Sequence, residues 1–209
     1  MQLPNPCTLC PRACRADRAH GQRGFCGADG TLRVARAALH HWEEPVISGT
    51  RGSGAVFFSG CNLRCVFCQN HSISAEGVGK RITTARLREI FEELIAQGAH
   101  NINLVTPTHF VPWILPALEP PLPVPVVYNC GGYESLGTLR TLEGRVQIYL
   151  PDLKYAMEEP ARALSAAPDY FPVAAAAIDE MLRQVGPYVI GEDGLMKSGV
   201  IIRHLVLPG

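Results

Sequence analysis

The chain has 209 residues, 47% of them apolar, which is enough for one sizeable core and too few for two large domains. Lys+Arg and Asp+Glu both number 19, so the formal net charge is zero and no global field draws the chain to nucleic acid or to an acidic membrane surface. The first residues, Met1–Pro6, lack the charged and apolar regions of a signal peptide, and no apolar run of about 18 residues could span a membrane; a cytoplasmic protein is expected. Eight cysteines in that compartment point to metal or redox chemistry before disulfides.

Taken in chain order, the first four cysteines are Cys7, Cys10, Cys14 and Cys26, spaced C-x2-C-x3-C-x11-C with Pro11, Gly21, Gly24 and Gly27 supplying turns. Four thiolates can hold zinc tetrahedrally or close an iron-sulfur cluster, and spacing alone does not separate the two. Residues 1–50 are expected to form a Cys-rich, metal-stapled appendage with a lead-in strand. Arg12, Arg15, Arg18 and Arg23 suit a solvated face as well as a binding one. The run Leu32–Ala37 alternates as a strand should, and His40–Pro45 breaks it. His40 and His41 would point to opposite faces, which argues against a shared metal. Gly49–Gly54 is a flexible boundary, placing the main domain at 51–209.

Ala55–Phe58 predicts a buried strand, and Ser59-Gly60 turns it into a loop carrying Cys61, Cys65 and Cys68 in a C-x3-C-x2-C spacing. Soft thiolates this close can wrap one iron-sulfur cubane. A cubane has four irons and the loop offers three cysteines, so one iron stays open. A zinc site would need a fourth ligand, for which His71 is the nearest candidate, and disulfides suit a small secreted domain better.

Beyond the loop, helix and strand alternate. Leu87, Ile90, Phe91, Leu94 and Ile95 give helical spacing over 84–97, with Gly98 to end it. Strands are predicted at 101–106, 124–129, 146–150 and 200–207, with helices at 110–118, near Leu136–Leu142 and at 173–185, and a small hairpin about Gly191–Gly194. Strands apolar on both faces argue a parallel sheet covered by helices. Sites in such folds gather at the carboxyl ends of strands, which selects Thr106–His109, Asn129–Tyr133, Asp152–Lys154 and Arg203-His204. Asp152 and Lys154 could instead be a surface pair, His109 a helix-capping residue and Cys130 a small buried hydrophobe. His20, His71, His100 and His204 carry no constellation.

The C-x3-C-x2-C loop after a first strand, with Phe67 before its last cysteine, resembles the signature of the radical S-adenosylmethionine (SAM) superfamily. The stretch Gly60–Asn70 looks most like the pyruvate formate-lyase activating enzyme branch, and Leu9–Cys14 with Gly24–Gly27 resembles an N-terminal element of a subgroup there. The resemblance implies a partial (β/α)6 barrel and a [4Fe-4S] cluster on Cys61, Cys65 and Cys68, with SAM on the open iron and Phe67 near its adenine. It also implies that Asp152, Lys154 and Arg203 serve SAM binding. Thr108 and His109 stand where many members have Gly-Gly-Glu to hold the SAM amino group, and are the candidates for that contact. The implied activity is reductive cleavage of SAM to a 5′-deoxyadenosyl radical that abstracts hydrogen, with flavodoxin or ferredoxin as reductant. A glycyl-radical enzyme, a peptide or a small molecule would be the substrate. Ending at Gly209, after the fifth strand, leaves the barrel without its last strand and suggests a truncated product or one needing a partner. The rival reading is a noncatalytic iron-sulfur or zinc protein that carries electrons or mediates interactions.

Overall fold

The computed structural model describes residues 2–207. The chain enters its sheet through β1 (Arg33–His40), turns through one helical turn, α1 (Pro45–Ser48), and returns antiparallel as β2 (Ser53–Phe58), with Val34 opposite Phe58 and His40 opposite Ser53. After the cysteine loop come α2 (His71–Ser74) and β3 (Lys80–Arg81), which pairs with the outer edge of β1. The N-terminal stretch through β1 and the region beyond residue 50 therefore share one sheet.

The α3 helix (Thr84–Ala96) starts where the Thr83 side chain accepts a hydrogen bond from the Arg86 amide, and it buries Leu87, Ile90, Phe91 and Leu94. Then follow β4 (Ile102–Val105), α4 (Val111–Ala117), β5 (Val126–Cys130), α5 (Leu136–Arg140), β6 (Ile148–Pro151), α6 (Glu158–Ser165) and α7 (Tyr170–Val185). A hairpin of β7 (Val189–Ile190) and β8 (Met196–Val200) completes the described elements. Among the described residues eight strands form one sheet in the order β3-β1-β2-β4-β5-β6-β8-β7, and β2, β4, β5, β6 and β8 run parallel. It is a mixed α/β fold whose carboxyl strand ends lie together.

The two faces of the sheet carry different chemistry. Leu104, Tyr128 and Tyr149 point into the main core, packed against Phe91 of α3, Ile114 of α4, Leu139 of α5 and Met181 of α7. On the opposite face, Val127, Ile148, Leu150 and Met196 enclose Ile47 of α1. The short α1 thus plugs the inner face of the sheet, and it brings the two residues before it, Glu43 and Glu44, with it.

One predicted strand is displaced. The strand expected at 200–207 is β8 at 196–200, the second arm of the predicted hairpin, whose turn is closed by Gly191 N–H to Leu195 O at 2.8 Å. Beyond Val200 the chain follows β6 through Ile201 N–H to Tyr149 O at 2.9 Å and an isolated bridge between Asp152 and Arg203, and Val206 is 83% exposed. The apolar run after β8 has strand-like composition, yet beyond Arg203 the structure shows no ladder for it.

Truncating the plug tests this packing. Ile47→Ala is expected to cost about 2–5 kcal/mol in urea unfolding, as for a cavity beneath a fixed wall, while Trp42→Ala, at a position 89% exposed, changes stability by less than about 0.5 kcal/mol. Equal effects would show that α1 does not fill the inner face.

Candidate active site

The cysteine loop is held by backbone hydrogen bonds from four separate segments. Ser59 N–H donates to Arg33 O at 3.1 Å, Gly60 N–H to Ile73 O at 2.9 Å, Cys61 N–H to Cys26 O at 3.2 Å and Val66 N–H to Leu164 O at 2.9 Å. Gly60 has φ +89°, and a Cβ there would run into the Cys26 carbonyl oxygen. Each loop thiol then receives a hydrogen bond: Ser165 Oγ to Cys65 Sγ at 2.9 Å, Ser74 Oγ to Cys68 Sγ at 3.3 Å and Leu63 N–H to Cys61 Sγ at 3.4 Å. Burial pushes the Cys61 thiol up to about 11, so a metal bound there would have to displace its proton. Phe67 is half-buried at the far end of the loop, edge-on to Tyr155.

Below the loop, on the inner face, lies a continuous ion-pair network. Lys154 Nζ donates to Asp152 Oδ2 at 2.6 Å. Arg203 Nε donates to Asp152 Oδ1 at 3.0 Å, Nη1 to Glu43 Oε1 at 3.0 Å and Nη2 to Asn129 Oδ1 at 2.6 Å. Asn103 Nδ2 and Asn129 Nδ2 both donate to Glu43 Oε2, at 2.9 and 3.1 Å. Burial works against the charged Lys154 amine, but Asp152, with Cys65 and Cys61, outweighs it and raises the amine above its ordinary range. Burial raises the Glu43 carboxyl; Arg203 opposes this and Glu44 reinforces it. The Tyr170 hydroxyl sets the geometry, accepting from Lys154 N–H at 2.9 Å and lying within hydrogen-bond reach of Asp152 O, 2.7 Å, and Gly131 O, 2.8 Å.

The structure thus gathers Cys61, Cys65, Cys68, Asp152, Lys154 and Arg203 at one end of the sheet. Sequence reasoning missed Glu43 and Asn103. An asparagine amid the apolar residues of β4 was the available signal for one; nothing local marks Glu43, which only the topology brings in.

The N-terminal cysteines lie on the other flank of the loop. Cys7 and Cys26 are buried, Cys10 is half-buried and Cys14 is exposed. Burial pushes the Cys10 thiol up to about 12, and the neighbouring Cys26 and Cys7 add to it. Arg12 stitches this segment to the loop, donating to Asn62 O and Ser165 O, both at 2.8 Å, and to Ala166 O. Among the described residues no three His, Cys, Asp or Glu side chains close on a single metal ion. His71, the candidate fourth zinc ligand, pairs with Glu76 at 3.4 Å.

Residues 55–187 match the family model described as the Radical SAM superfamily. The chain belongs to the radical SAM superfamily. It is also 31% identical over 211 residues to a protein of Methanocaldococcus jannaschii called uncharacterized protein MJ0674, an alignment covering 97% of this chain and 57% of that relative. The chain therefore spans a little over half the length of that protein. No helix among the described residues is long and apolar enough to cross a membrane.

The superfamily implies a [4Fe-4S] cluster and SAM, and the residues present fit both. Three soft thiols, each with a donor on its sulfur, suit iron. Beside them, the inner face carries three carboxylates, Asp152, Glu43 and Glu44, against two cations, Lys154 and Arg203. The buried Asn103 Oδ1 and Glu44 Oε2 are acceptors without a donor. A ligand bringing positive charge and hydrogen-bond donors, as the ammonium and sulfonium of SAM do, supplies what this radical SAM site needs.

Thr108 and His109 sit apart from this network. Thr108 Oγ1 donates to Glu134 Oε1 at 2.7 Å, and Tyr128 OH to Glu134 Oε2 at 3.0 Å, all buried. His109 Nε2 donates to Ser59 O at 2.8 Å, which leaves its buried Nδ1 without a partner and fixes a neutral ring. The pair braces the strand-to-loop turn from the core side.

His109 and Glu134 give the fold two opposed pH dependences. Burial lowers the His109 imidazole from 6.5 to about 4, so its contribution is complete above about pH 6.5 and is lost as pH falls toward 4. Burial raises the Glu134 carboxyl from 4.5 to about 7, so its contribution is complete below about pH 4.5 and is lost as pH rises through 7. In urea titrations Glu134→Gln is expected to leave stability rising by roughly 1.4 kcal/mol per pH unit across the His109 window, and His109→Gln to leave it falling by as much across the Glu134 window. Parallel curves for the two variants would refute both assignments.

Proposed function

We propose that this chain is an enzyme that cleaves SAM reductively and uses the resulting 5′-deoxyadenosyl radical to take a hydrogen atom from a substrate. The observation that carries the reading is the juxtaposition of the three hydrogen-bonded thiols with the Lys154–Asp152–Arg203 network on the same end of the sheet. When bound, the [4Fe-4S] cluster supplies the single electron that breaks the sulfonium bond. The chain's own residues do the rest. Cys61, Cys65 and Cys68 hold the iron, Asp152 and Lys154 take the polar groups of SAM, and Arg203 locks Asp152 in place through Glu43 and Asn129. Phe67 offers its ring to the adenine.

Within the superfamily, the Gly60–Asn70 stretch supports the activating-enzyme branch, and with it a partial (β/α)6 barrel. We assign as substrate class a glycine Cα–H in a partner protein, with a peptide or small molecule as the other options. Flavodoxin or ferredoxin fits as the external reductant, and Cys7, Cys10, Cys14 and Cys26 form a second metal site, zinc or iron-sulfur.

Anaerobic reconstitution, electron paramagnetic resonance with and without SAM, and a 5′-deoxyadenosine assay test the reading. The reduced cubane signal is expected to change on adding SAM, with 5′-deoxyadenosine formed. Cys65→Ala abolishes both responses, and Asp152→Asn raises the KM for SAM at least tenfold with the iron content of the Cys61–Cys68 site unchanged. A reducible cluster indifferent to SAM would make the protein an electron carrier instead.

A further inference from the structure

We infer that Cys7, Cys10, Cys14 and Cys26 hold a second [4Fe-4S] cluster, which passes electrons from an external one-electron reductant to the Cys61–Cys65–Cys68 site. The relay rests on the radical reading; the cluster itself does not.

The four thiols are neighbours: Cys10 lies close enough to Cys26 and Cys7, and Cys26 to Cys7 and Cys14, for their charges to act on one another. A Cβ on Gly24 would lie 3.2 Å from Cys14 Sγ and 3.5 Å from Cys26 Sγ, so the sulfurs occupy the space a side chain would need. Arg18 shows what charge belongs there. It is 0% exposed and donates to Asp29 O at 2.9 and 3.1 Å, to His109 O at 2.9 Å and to Cys7 Sγ at 3.8 Å. Among the described residues no carboxylate pairs with it, since the Asp29 carboxylate is engaged by Thr31, Arg33 and Arg81. Its guanidinium faces these carbonyls, the thiol and the rings of Phe110 and Trp113, at 5.8 and 5.7 Å, and a buried cation so placed is stabilised further by an anion beside it. Metal-bound thiolates are that anion.

Iron-sulfur is favoured over zinc by position. Zinc has no redox chemistry, whereas a cubane bound by four thiolates carries single electrons, and this site lies one backbone hydrogen bond from the radical SAM loop, Cys61 N–H to Cys26 O at 3.2 Å.

The relay follows from contact between the two sites. Cys61 N–H donates to Cys26 O, so a ligand of each set is joined through a single hydrogen bond, and Gly60 lets the two backbones approach that closely. On the outer side Cys14 is exposed, flanked by the exposed Arg15 and Arg23, a surface suited to an acidic reductant protein. In the step, the reductant loses one electron and the N-terminal cluster goes from [4Fe-4S]2+ to [4Fe-4S]1+. It then returns to 2+ as the radical-site cluster is reduced from 2+ to 1+.

The full chain is reconstituted without oxygen, with iron, sulfide and zinc all supplied. The triple variant Cys61→Ala, Cys65→Ala, Cys68→Ala is expected to keep about four irons per chain and a reduced-state resonance that ignores SAM. Bound zinc without iron in that variant overturns the inference. In Cys10→Ala, Cys14→Ala the SAM-sensitive signal persists and dithionite still reduces it, while flavodoxin reduces it at least tenfold more slowly than in the wild type. Equal flavodoxin rates overturn the relay. Should these variants misfold, the fully reduced wild type decides: magnetic coupling between two clusters supports the relay, and a single uncoupled signal overturns it. A wild type that keeps the N-terminal iron but ignores SAM counts against the radical reading alone.

Discussion

The structure depends on one tight turn, Ser59–Cys61, where a buried parallel strand must hand over to the three-cysteine loop without leaving polar backbone unsatisfied. Its three N–H groups and the Ser59 carbonyl find partners from different parts of the chain: Arg33 on β1, Ile73 on α2, Cys26 in the N-terminal segment and His109 after β4. A buried donor or acceptor left alone costs about 1–3 kcal/mol, so the four supports act on the loop as a set. Gly60 is the one residue type that permits the closest of these approaches. The position of the three thiols is therefore set by the whole sheet rather than by the loop.

The second constraint is charge. Arg203 enters the inner face from beyond β8 and is engaged by Glu43, Asp152 and Asn129 at once. That sharing fixes Asp152 with one oxygen to Arg203 and the other to Lys154, so its carboxylate is oriented before any ligand arrives. Pre-orientation of this kind reduces the ordering cost of binding. Glu43 is placed by α1, whose Ile47 is packed among apolar residues of β5, β6 and β8, so the polar layer is ultimately held by an apolar plug.

Much of this was legible in the sequence. The cysteine loop, α3 and the β/α alternation follow from spacing and periodicity, since those signals are local. Boundaries moved where backbone bonding overrode composition. Val146 is apolar and buried, yet its amide goes to Leu142 O as a continuation of the preceding turn, so β6 begins at Ile148. Pro125 has no amide to give, and β5 begins at Val126. Glu43 was invisible because its partner Arg203 lies 160 residues away in the chain, and Glu134 because nothing in its own stretch shows that Tyr128 and Thr108 converge on it in the core. His109 looked like a site residue because it follows a strand end, but the 3-10 turn at Thr108–Phe110 directs it into the core.

The two faces of the sheet then divide the work of the molecule. Cys26 and Ala28 pack into the main core with Leu104 and Tyr128, while the alternate residues Asn103 and Asn129 face Glu43 and Arg203 on the other side. The Cys61–Cys68 loop crowns the edge between them. A one-electron donor arriving over the N-terminal cysteines and a substrate arriving over the inner face would reach the same loop from opposite sides, without competing for surface. In the proposed reaction, strand alternation, the simplest rule of β-structure, would keep electron donor and substrate apart by the thickness of a sheet.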